Sequence, residues 1–415
     1  MTSGYLVYFY PYEVVGQSLL FTGSNYPHAL LHSPEMPDRF LLDMQLELAS
    51  CKSGSFKFGI VSENPLYSEL RRSFRWEVLV FFRNRTGAER FLFGGYPVQR
   101  ETDIYGITTF TCDGVMGYLN QVYLPAFRSV SVPIGTFYSQ VVLQYNREMR
   151  DISGTIRSRA QKRHRTFHIT YSTAWDTEHP DGITRDTAKS LTAMDVLQTR
   201  LVDYFGGELS VQKMSDAIIE RAKDPILWAL NYRQYDTGNI AGQTIEVGKN
   251  VTELSFAYDT TTFYTALVPV NTEGDALCTG DNAEMVYPST GDVQVRRRAN
   301  SVVFRNESLV EQYGLIVGPL DKFSDTGTEQ ASVIGTTMLA AAALQPPKVT
   351  FAGKAKDLAL ITGDAPLEIG QYVWFRRGAL RLLLRVSKLT VSLSDPLQNE
   401  IELSGYIQGD DLLQY

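Results

Sequence analysis

The sequence predicts a β-rich α+β fold, with two similar antiparallel β-barrel-like modules on either side of a mixed α/β middle region. Aromatic residues make up 12% of the 415 residues, and the 23 Tyr and 21 Phe suit the half-buried surface of a pleated sheet. Segments near both ends alternate apolar and polar residues with period two, as strands with one buried face do. Between these ends the helix signals are stronger, with capping residues before apolar positions at helical spacing.

The predicted first module is arranged around residues 56–120. Phe56, Phe58 and Ile60 alternate with small or polar residues, and Asn64-Pro65 ends that strand. The run EVLVFF at 77–82 has apolar residues at both parities, so we expect a strand that is buried on both faces. Short turns join these strands into a compact antiparallel sheet or a small barrel. The strands predicted for the module are 5–10, 40–48, 56–60, 77–82, 91–95 and 107–114.

The middle of the chain contains the clearest helix, at 193–205. Thr192 can cap it with Asp195 three residues on, and Gly206-Gly207 can stop it. The segment FYSQVVLQY at 137–145 is interpreted as a strand. Other predicted elements are strands at 258–270 and 302–304, helices at 215–223 and 307–314, and an Ala-rich helix from a Thr328 cap to Pro346-Pro347.

A second antiparallel sheet is predicted near the C-terminus, from strands at 372–376, 380–386, 388–394 and 399–405. The resulting division assigns 1–133 to the first module and 134–250 to a mixed α/β insertion domain. It assigns 251–345 to a connecting domain of strands, loops and helices, and 346–415 to the second module. Either module could borrow strands from 240–305.

The charge and the hydropathy of the sequence narrow the range of functions that we expect for the protein. The formal net charge of −7 disfavours a protein that wraps nucleic acid, so no sequence-specific nucleic-acid binding is expected. The basic stretch 147–165 has few interleaved aromatic residues, so we favour a solvated face or a subunit contact over a phosphate-contacting arm. No membrane anchor is expected, because the N-terminus lacks a secretory signal and the weakly polar run at 332–344 is too short to cross a bilayer.

The sequence contains few motifs that are typical of catalytic or metal-binding sites. Cys51, Cys112 and Cys278 are odd in number and far apart, which favours reduced thiols over a disulfide framework or a metal site. His164 and His168 form HxxxH without a neighbouring Glu, and HRTFHITYS reads better as the entry to a strand. The acidic segment 176–186 misses the EF-hand spacing. We therefore predict no catalytic, cofactor-binding or metal-binding residues, although paired carboxylates distant in sequence stay open.

Seven segments, taken in order, resemble one protein family across about residues 40–405. The family is the baseplate hub or tail-tip proteins of long-tailed bacteriophages, known as the prophage endopeptidase tail or tail-associated lysin family. The segments that carry the resemblance are FKFGIVSENPLY, FLFGGYPVQRETDIYGITTFTCDGVMGYLN, YSTAWDTEHP with MDVLQTRLVDYFGGELSV, QTIEVGKNVTELSFAYDTTTFYTALVPV, FRNESLVEQYGLI, the Ala-rich helix ending in Pro-Pro, and KDLAL with LEIGQYVWFR and VSKLTVSLSDPLQNEIELSG.

The resemblance implies a homotrimer that closes the distal end of a tail tube and is assembled in the cytoplasm of a bacterial host. Two related modules in each of three chains would offer six comparable docking surfaces to a sixfold tube. The implied partners are the distal tail protein or tail tube hexamer, the tape-measure protein, and receptor-binding or fibre proteins. The trimer would open to release the genome, and its formal charge of −21 would disfavour sticking of DNA in an acidic lumen.

Many members of that family continue into a peptidoglycan hydrolase, a coiled coil or a fibre, whereas this sequence ends at Tyr415, about ten residues after its last predicted strand. We therefore do not expect the family's lytic activity here, and we predict a structural protein without catalysis. The alternative is a tail-tip protein that binds or degrades host-wall carbohydrate. Its Tyr and Trp side chains would stack on saccharides in the loops 176–186 or 271–291.

Overall fold

The chain folds as two compact units, of which Met1–Leu254 with Ala352–Leu403 forms the first and Ser255–Phe351 with Ser404–Tyr415 the second. The four-part division of the sequence stays a prediction. The computed structural model describes residues 3–11, 28–152, 165–171, 183–186, 189–214, 228–261, 263–271, 274–277, 292–298, 301–320, 330–356, 358–359, 365–395 and 399–406.

Strands dominate the described residues. They are β1 (Gly4–Pro11), β2 (Ala29–His32), β3 (Leu42–Ala49), β4 (Ser55–Ile60), β5 (Trp76–Arg83), β6 (Glu89–Thr102), β7 (Thr108–Gly114), β8 (Tyr123–Leu124), β9 (Arg128–Val132), β10 (Phe167–Tyr171), β11 (Ile183–Asp186), β12 (Leu191–Thr192), β13 (Glu208–Lys213), β14 (Trp228–Arg233), β15 (Ile240–Glu246), β16 (Val251–Asp259), β17 (Ala266–Pro269), β18 (Val293–Arg298), β19 (Ser301–Asn306), β20 (Val317–Leu320), β21 (Lys348–Ala355), β22 (Tyr372–Arg377), β23 (Leu380–Ser392) and β24 (Asn399–Tyr406).

Helices are fewer and mostly short. They are α1 (Tyr67–Arg72), α2 (Ile134–Ile152), α3 (Ala193–Leu197), α4 (Asp203–Phe205), α5 (Glu307–Tyr313) and α6 (Gln330–Ala342), together with a 3₁₀ helix at Val115–Gln121 and a π-helical turn at Gln198–Val202. The β-rich α+β fold predicted from the sequence is confirmed. Among the described residues, no helix is both long and apolar enough to cross a membrane.

A large sheet, curled as a half-barrel, organises the first unit. From β24 onward its strands follow the order β24-β23-β3-β4-β7-β6-β5-β1-β2, and β22 with its neighbour β15 branches from β23. The four strands predicted at 56–60, 77–82, 91–95 and 107–114 are therefore adjacent, as expected. The second sheet predicted from the C-terminal strands is not separate: β22, β23 and β24 join this same sheet, because β23 pairs with β3 and Leu389 lies opposite Leu48.

Burial follows the alternation read from the sequence. Val78, Leu79 and Val80 of β5 are all fully buried, so this strand is covered on both faces as predicted. One side packs on a core built from α2, α3 and the small sheet β10-β14-β13. Asn146 of α2 is fixed to β10, since its Nδ2 donates to Phe167 O at 2.8 Å and its Oδ1 accepts from Phe167 N at 2.9 Å.

Three predicted elements differ from the structure. The strand predicted at 258–270 is interrupted, because β16 ends at Asp259 and β17 begins at Ala266. The segment 137–145 is part of helix α2 and not a strand, because its buried residues fall at helical spacing. These residues are Phe137, Tyr138, Val141, Val142, Tyr145 and Met149. The predicted strands 380–386 and 388–394 form the single strand β23, which has neither Gly nor Pro near Ser387 to turn the chain.

The predicted helix ends are confirmed where they are described. Thr192 Oγ1 accepts a hydrogen bond from Asp195 N at 3.1 Å, and Gly206 ends the 193–205 helix with φ of 75°. Asn306 Oδ1 accepts from Leu309 N at 3.3 Å at the start of α5, and Gly314 ends α5 with φ of 80°. The helix predicted at 215–223 and the Thr328 cap lie outside the described residues.

The second unit has its own sheet and core. Its strands follow the order β18-β19-β17-β20, and β20 runs parallel to β17. Helix α6 covers this sheet and contributes Val333, Ile334 and Ala341 to the core. Asn306 Nδ2 donates to Ala341 O at 3.2 Å, which fixes the end of β19 to the helix.

Candidate functional site

The hairpin between β6 and β7 presents two large apolar side chains at its tip, which we define as residues 103–107. Ile104 is 91% exposed and Tyr105 is 83% exposed. The backbone beneath them is tightly held, because the Asp103 carboxylate accepts hydrogen bonds from Tyr105 N and Ile107 N, both at 2.9 Å. The side chain of Asp103 thus replaces solvent as the partner of this turn and gives the tip a fixed shape.

Helix α1 supports the hairpin tip from the side. The Tyr67 hydroxyl donates to Gly106 O at 2.9 Å, and the Arg71 guanidinium stacks over the Tyr67 ring at 4.9 Å. On the adjoining surface, Arg100 lies 5.4 Å over the ring of Phe74, which is 46% exposed. An apolar tip with a basic flank is the composition expected of a protein contact surface.

A second surface, the arginine–aromatic face, lies on the outer side of β15, β22 and β23. Two guanidinium groups stack on aromatic rings here, Arg381 at 4.0 Å from the Trp374 centroid and Arg385 at 3.9 Å from the Tyr235 centroid. Strand register makes the surface continuous, since Tyr372 lies opposite Arg385 on one side and Ile240 on the other. The face consists of Tyr235, Ile240, Tyr372, Trp374, Arg381 and Arg385.

This face is the outer side of a strand group whose inner side is already used by the core. Val373 and Phe375 of β22 are fully buried, as is Val386 of β23. The alternating residues on the outer side are partly exposed, and Ile240 and Tyr235 are 43% and 40% exposed. Both faces of β22 and β23 are thus rich in apolar surface, although only the inner face is needed to build the core.

An ionic cluster around the buried carboxylate of Glu208 lies where β13 and β14 meet the loop before β22. The Glu208 carboxylate is 3.6 Å from Arg233 Nη2 and packs on the Cα of Gly370. Arg90 forms an ion pair with Glu368 of the same loop. Burial raises the pKa of Glu208, while the nearby guanidinium groups of Arg233 and Arg385 oppose the rise. The charges are paired within the chain, so the cluster holds these elements together.

The pH dependence of the free energy of unfolding tests whether the pKa of Glu208 is raised in the folded protein. Since its pKa is higher in the folded state than in the unfolded chain, its contribution to the free energy of unfolding falls as the pH rises from the ordinary carboxyl value through the raised one. We expect Glu208→Gln to gain stability relative to wild type across that window. Urea unfolding of both proteins in a pH series measures the difference, and parallel profiles would contradict it.

The sequence candidates for metal chemistry fall on ordinary structural positions. His168 lies on β10 opposite Ala229, as the strand interpretation predicted, and His164 lies outside the described residues. Cys51 and Cys112 are free thiols whose pKa is raised chiefly by burial, and Cys278 lies outside the described residues. No group of three or more His, Cys, Asp or Glu side chains that could hold a metal ion occurs in the described part of the chain.

The basic stretch and the two candidate loops are described only in part. Arg147 and Arg150 lie on α2, and Arg165 lies 5.4 Å over the ring of Tyr118. In the acidic segment, residues 183–186 form β11, which pairs with β9. Residues 153–164, 172–182 and 278–291 lie outside the described residues, so carbohydrate stacking in the two loops stays a prediction.

Sequence reasoning missed both exposed surfaces. The signal for the hairpin tip was the Asp-Ile-Tyr-Gly turn between two strands, in which large apolar residues occupy an exposed position. The signal for the arginine–aromatic face was apolar character at both parities in YVWFRR and LRLLLRV. Tyr235 could not be placed with them, because it lies more than a hundred residues earlier in the chain.

Comparison with known proteins supports one class of fold. The prophage tail protein gp18 from Listeria monocytogenes EGD-e has a TM-score of 0.50 and 11% identity, over 99% of this chain and 97% of that one. A tail protein from Neisseria meningitidis MC58 has a TM-score of 0.53 and 10% identity, over 97% of both chains. The 43 kDa tail protein of prophage MuSo2 from Shewanella oneidensis has a TM-score of 0.50 and 9% identity, over 96% of this chain and 97% of that one.

No protein-family profile matches the sequence, and no curated protein matches it significantly. At these identities the likeness to solved structures concerns the fold. The chain has the fold of phage tail proteins along nearly its whole length, and the resemblance predicted from the sequence is confirmed at that level.

Proposed function

We propose that this chain is a structural hub protein that closes the distal end of a phage tail tube as a homotrimer. In this role it contacts the distal tail protein or tail tube hexamer and the tape-measure protein, and it opens for genome delivery. It acts as a structural component of the tail tip, without catalysis, after assembly in the cytoplasm of the host.

One observation carries the proposal. The likeness to prophage tail proteins covers 96–99% of this chain and 97% of each of the three proteins, so it concerns the complete architecture and not a single shared domain. The exposed surfaces support the same role. A fixed apolar hairpin tip and an arginine–aromatic face suit a protein that works by binding neighbours in an assembly.

Two measurements test this function. Light scattering of the full-length chain is expected to give three times the 46.6 kDa chain mass. In phage particles that contain the chain, gold-labelled antibody is expected to mark the distal end of the tail. Label along the tail shaft or on the capsid would contradict the tail-tip location, and a persistent monomer would contradict the trimer.

A further inference from the structure

We propose that the arginine–aromatic face binds a different, acidic surface of a second copy of this chain, and so forms the subunit contact of a closed ring. This inference rests on the trimer of the proposed function and specifies which surface of the chain makes it. The face is formed by Tyr235, Ile240, Tyr372, Trp374, Arg381 and Arg385, on three adjoining strands and the loop before β15.

The composition of the face favours a protein partner. Trp, Tyr and Arg are the residues that most often supply the binding energy at the centre of interfaces. Here Trp374 and Arg381 are already stacked at 4.0 Å, and Tyr235 and Arg385 at 3.9 Å. Because each guanidinium is held against a ring, these long side chains have less conformational freedom to lose on binding than free arginines would.

Charge complementarity supports a second copy of this chain as the partner. Residues 372–388 carry four arginines and one lysine and no acidic residue, so the rest of the chain has a formal charge of −12. Of the acidic groups beside the face, Glu246 binds Lys249 Nζ at 2.8 Å and the buried Glu208 faces Arg233, whereas Asp236 and Glu402 accept hydrogen bonds from Gly238 N and Ser387 Oγ. The face is therefore basic on an acidic protein, and any second copy offers surface of the opposite sign.

The same charge decides the symmetry of the contact. Two copies of the face would repel each other, which disfavours a twofold dimer made by this surface against itself. Contact with a different surface of the next copy is heterologous, and such contacts build rings when the rotation between subunits closes. A closed ring of three chains meets that condition and matches the proposed trimer.

A pair of matched double variants of the full-length chain tests the inference. Trp374→Ser with Arg381→Glu disrupts the face, and Phe74→Ser with Arg100→Glu makes the same chemical change in the stacked pair near the hairpin tip. Loss of a central aromatic and arginine contact typically weakens binding by about a hundredfold or more. We expect the face variant to have the mass of a single chain by light scattering and sedimentation, and the control to stay a trimer.

Circular dichroism and urea unfolding establish whether each variant is folded. Ile240→Glu provides a second disruption of the face at a side chain that is 43% exposed, so its folding is expected to be intact. Ionic strength gives an independent readout. Between ~0.05 and ~0.5 M NaCl, where the screening length falls from ~14 to ~4 Å, we expect the dissociation constant of the wild-type trimer to rise about tenfold.

The outcomes separate this inference from the proposed function. A wild-type trimer whose folded face variants keep the same mass overturns the inference and leaves the hub proposal standing. A wild-type chain that is a monomer at every concentration contradicts the trimer itself and both proposals with it. Loss of wall-polysaccharide binding in the face variant, with an unchanged trimer mass, overturns the inference in favour of carbohydrate recognition.

Discussion

Replacing Gly114 with alanine is expected to lower the free energy of unfolding by about 3 kcal/mol, a large part of the total stability of a typical domain. Gly114 ends β7 with φ of −66° and ψ of 150°, a conformation that alanine adopts without strain. The loss of stability therefore starts from a steric overlap and not from backbone strain. A Cβ at this position would lie closer than 3.0 Å to the carbonyl group of Ser53, which is backbone and cannot rotate away.

The same substitution would also break a hydrogen bond. Gly114 N donates to Gly54 O at 3.0 Å, and moving the Ser53 carbonyl aside displaces Gly54 with it. Gly335→Ala in helix α6 is the control, and we expect it to increase the free energy of unfolding. Its added methyl group meets no atom within 4 Å, and alanine is preferred over glycine in a helix by about 0.5–1 kcal/mol. Urea unfolding that ranks Gly114→Ala at or above wild type would contradict the steric argument.

Much of the strand pattern could be predicted because its determinants are local. In β4 the buried Phe56, Phe58 and Ile60 follow the parity of the apolar positions, and in β5 apolar residues of both parities are buried, as the unbroken apolar run predicts. Helix caps are equally local. Thr192 and Asn306 lie within three residues of the backbone groups that they bind, so their spacing alone identifies both helix starts.

Helix α2 was misread because β-branched and aromatic residues favour strands in short windows. Phe137, Tyr138, Val141 and Val142 look strand-like as a group, yet their spacing of three and four places them on one helical face. Tertiary packing decides the outcome here. The Tyr138 hydroxyl donates to Leu230 O at 2.6 Å and the Tyr145 hydroxyl donates to Arg165 O at 2.7 Å, which fixes the buried face of the helix.

The arginine–aromatic face could not be predicted, because it depends on strand pairing between distant segments. Nothing in the local sequence places β23 beside β3, or β15 beside β22. Once these pairings are formed, Tyr235 and Ile240 lie next to residues near position 380, and the arginine–aromatic face results. A single sequence reports which residues alternate, whereas the neighbours of each strand are decided by the whole sheet.

The second large effect is expected at Asn64, which the sequence marked as the end of a strand. Asn64 is 1% exposed, and its Nδ2 donates to Leu31 O and to Phe40 O, both at 3.1 Å. Its Oδ1 accepts from Leu66 N at 3.0 Å. One side chain thus satisfies three backbone groups. In Asn64→Ala these backbone groups lose their partner, and each group that water cannot reach costs about 1–3 kcal/mol. We therefore expect the free energy of unfolding to fall by about 3 kcal/mol.

Asn64→Asp separates hydrogen bonding from simple loss of volume. A carboxylate keeps the acceptor for Leu66 N but faces the carbonyl oxygens of Leu31 and Phe40, which repel it. Its pKa should therefore rise in the folded state, so the stability deficit should grow as the pH increases above the ordinary Asp value. Asn84→Ala is the control, since Asn84 caps a solvent-exposed turn where water can replace its hydrogen bonds to Thr86 and Ala88. Equal losses in the free energy of unfolding at Asn64 and Asn84 would contradict the prediction. So would an Asn64→Asp variant whose stability deficit does not change with pH.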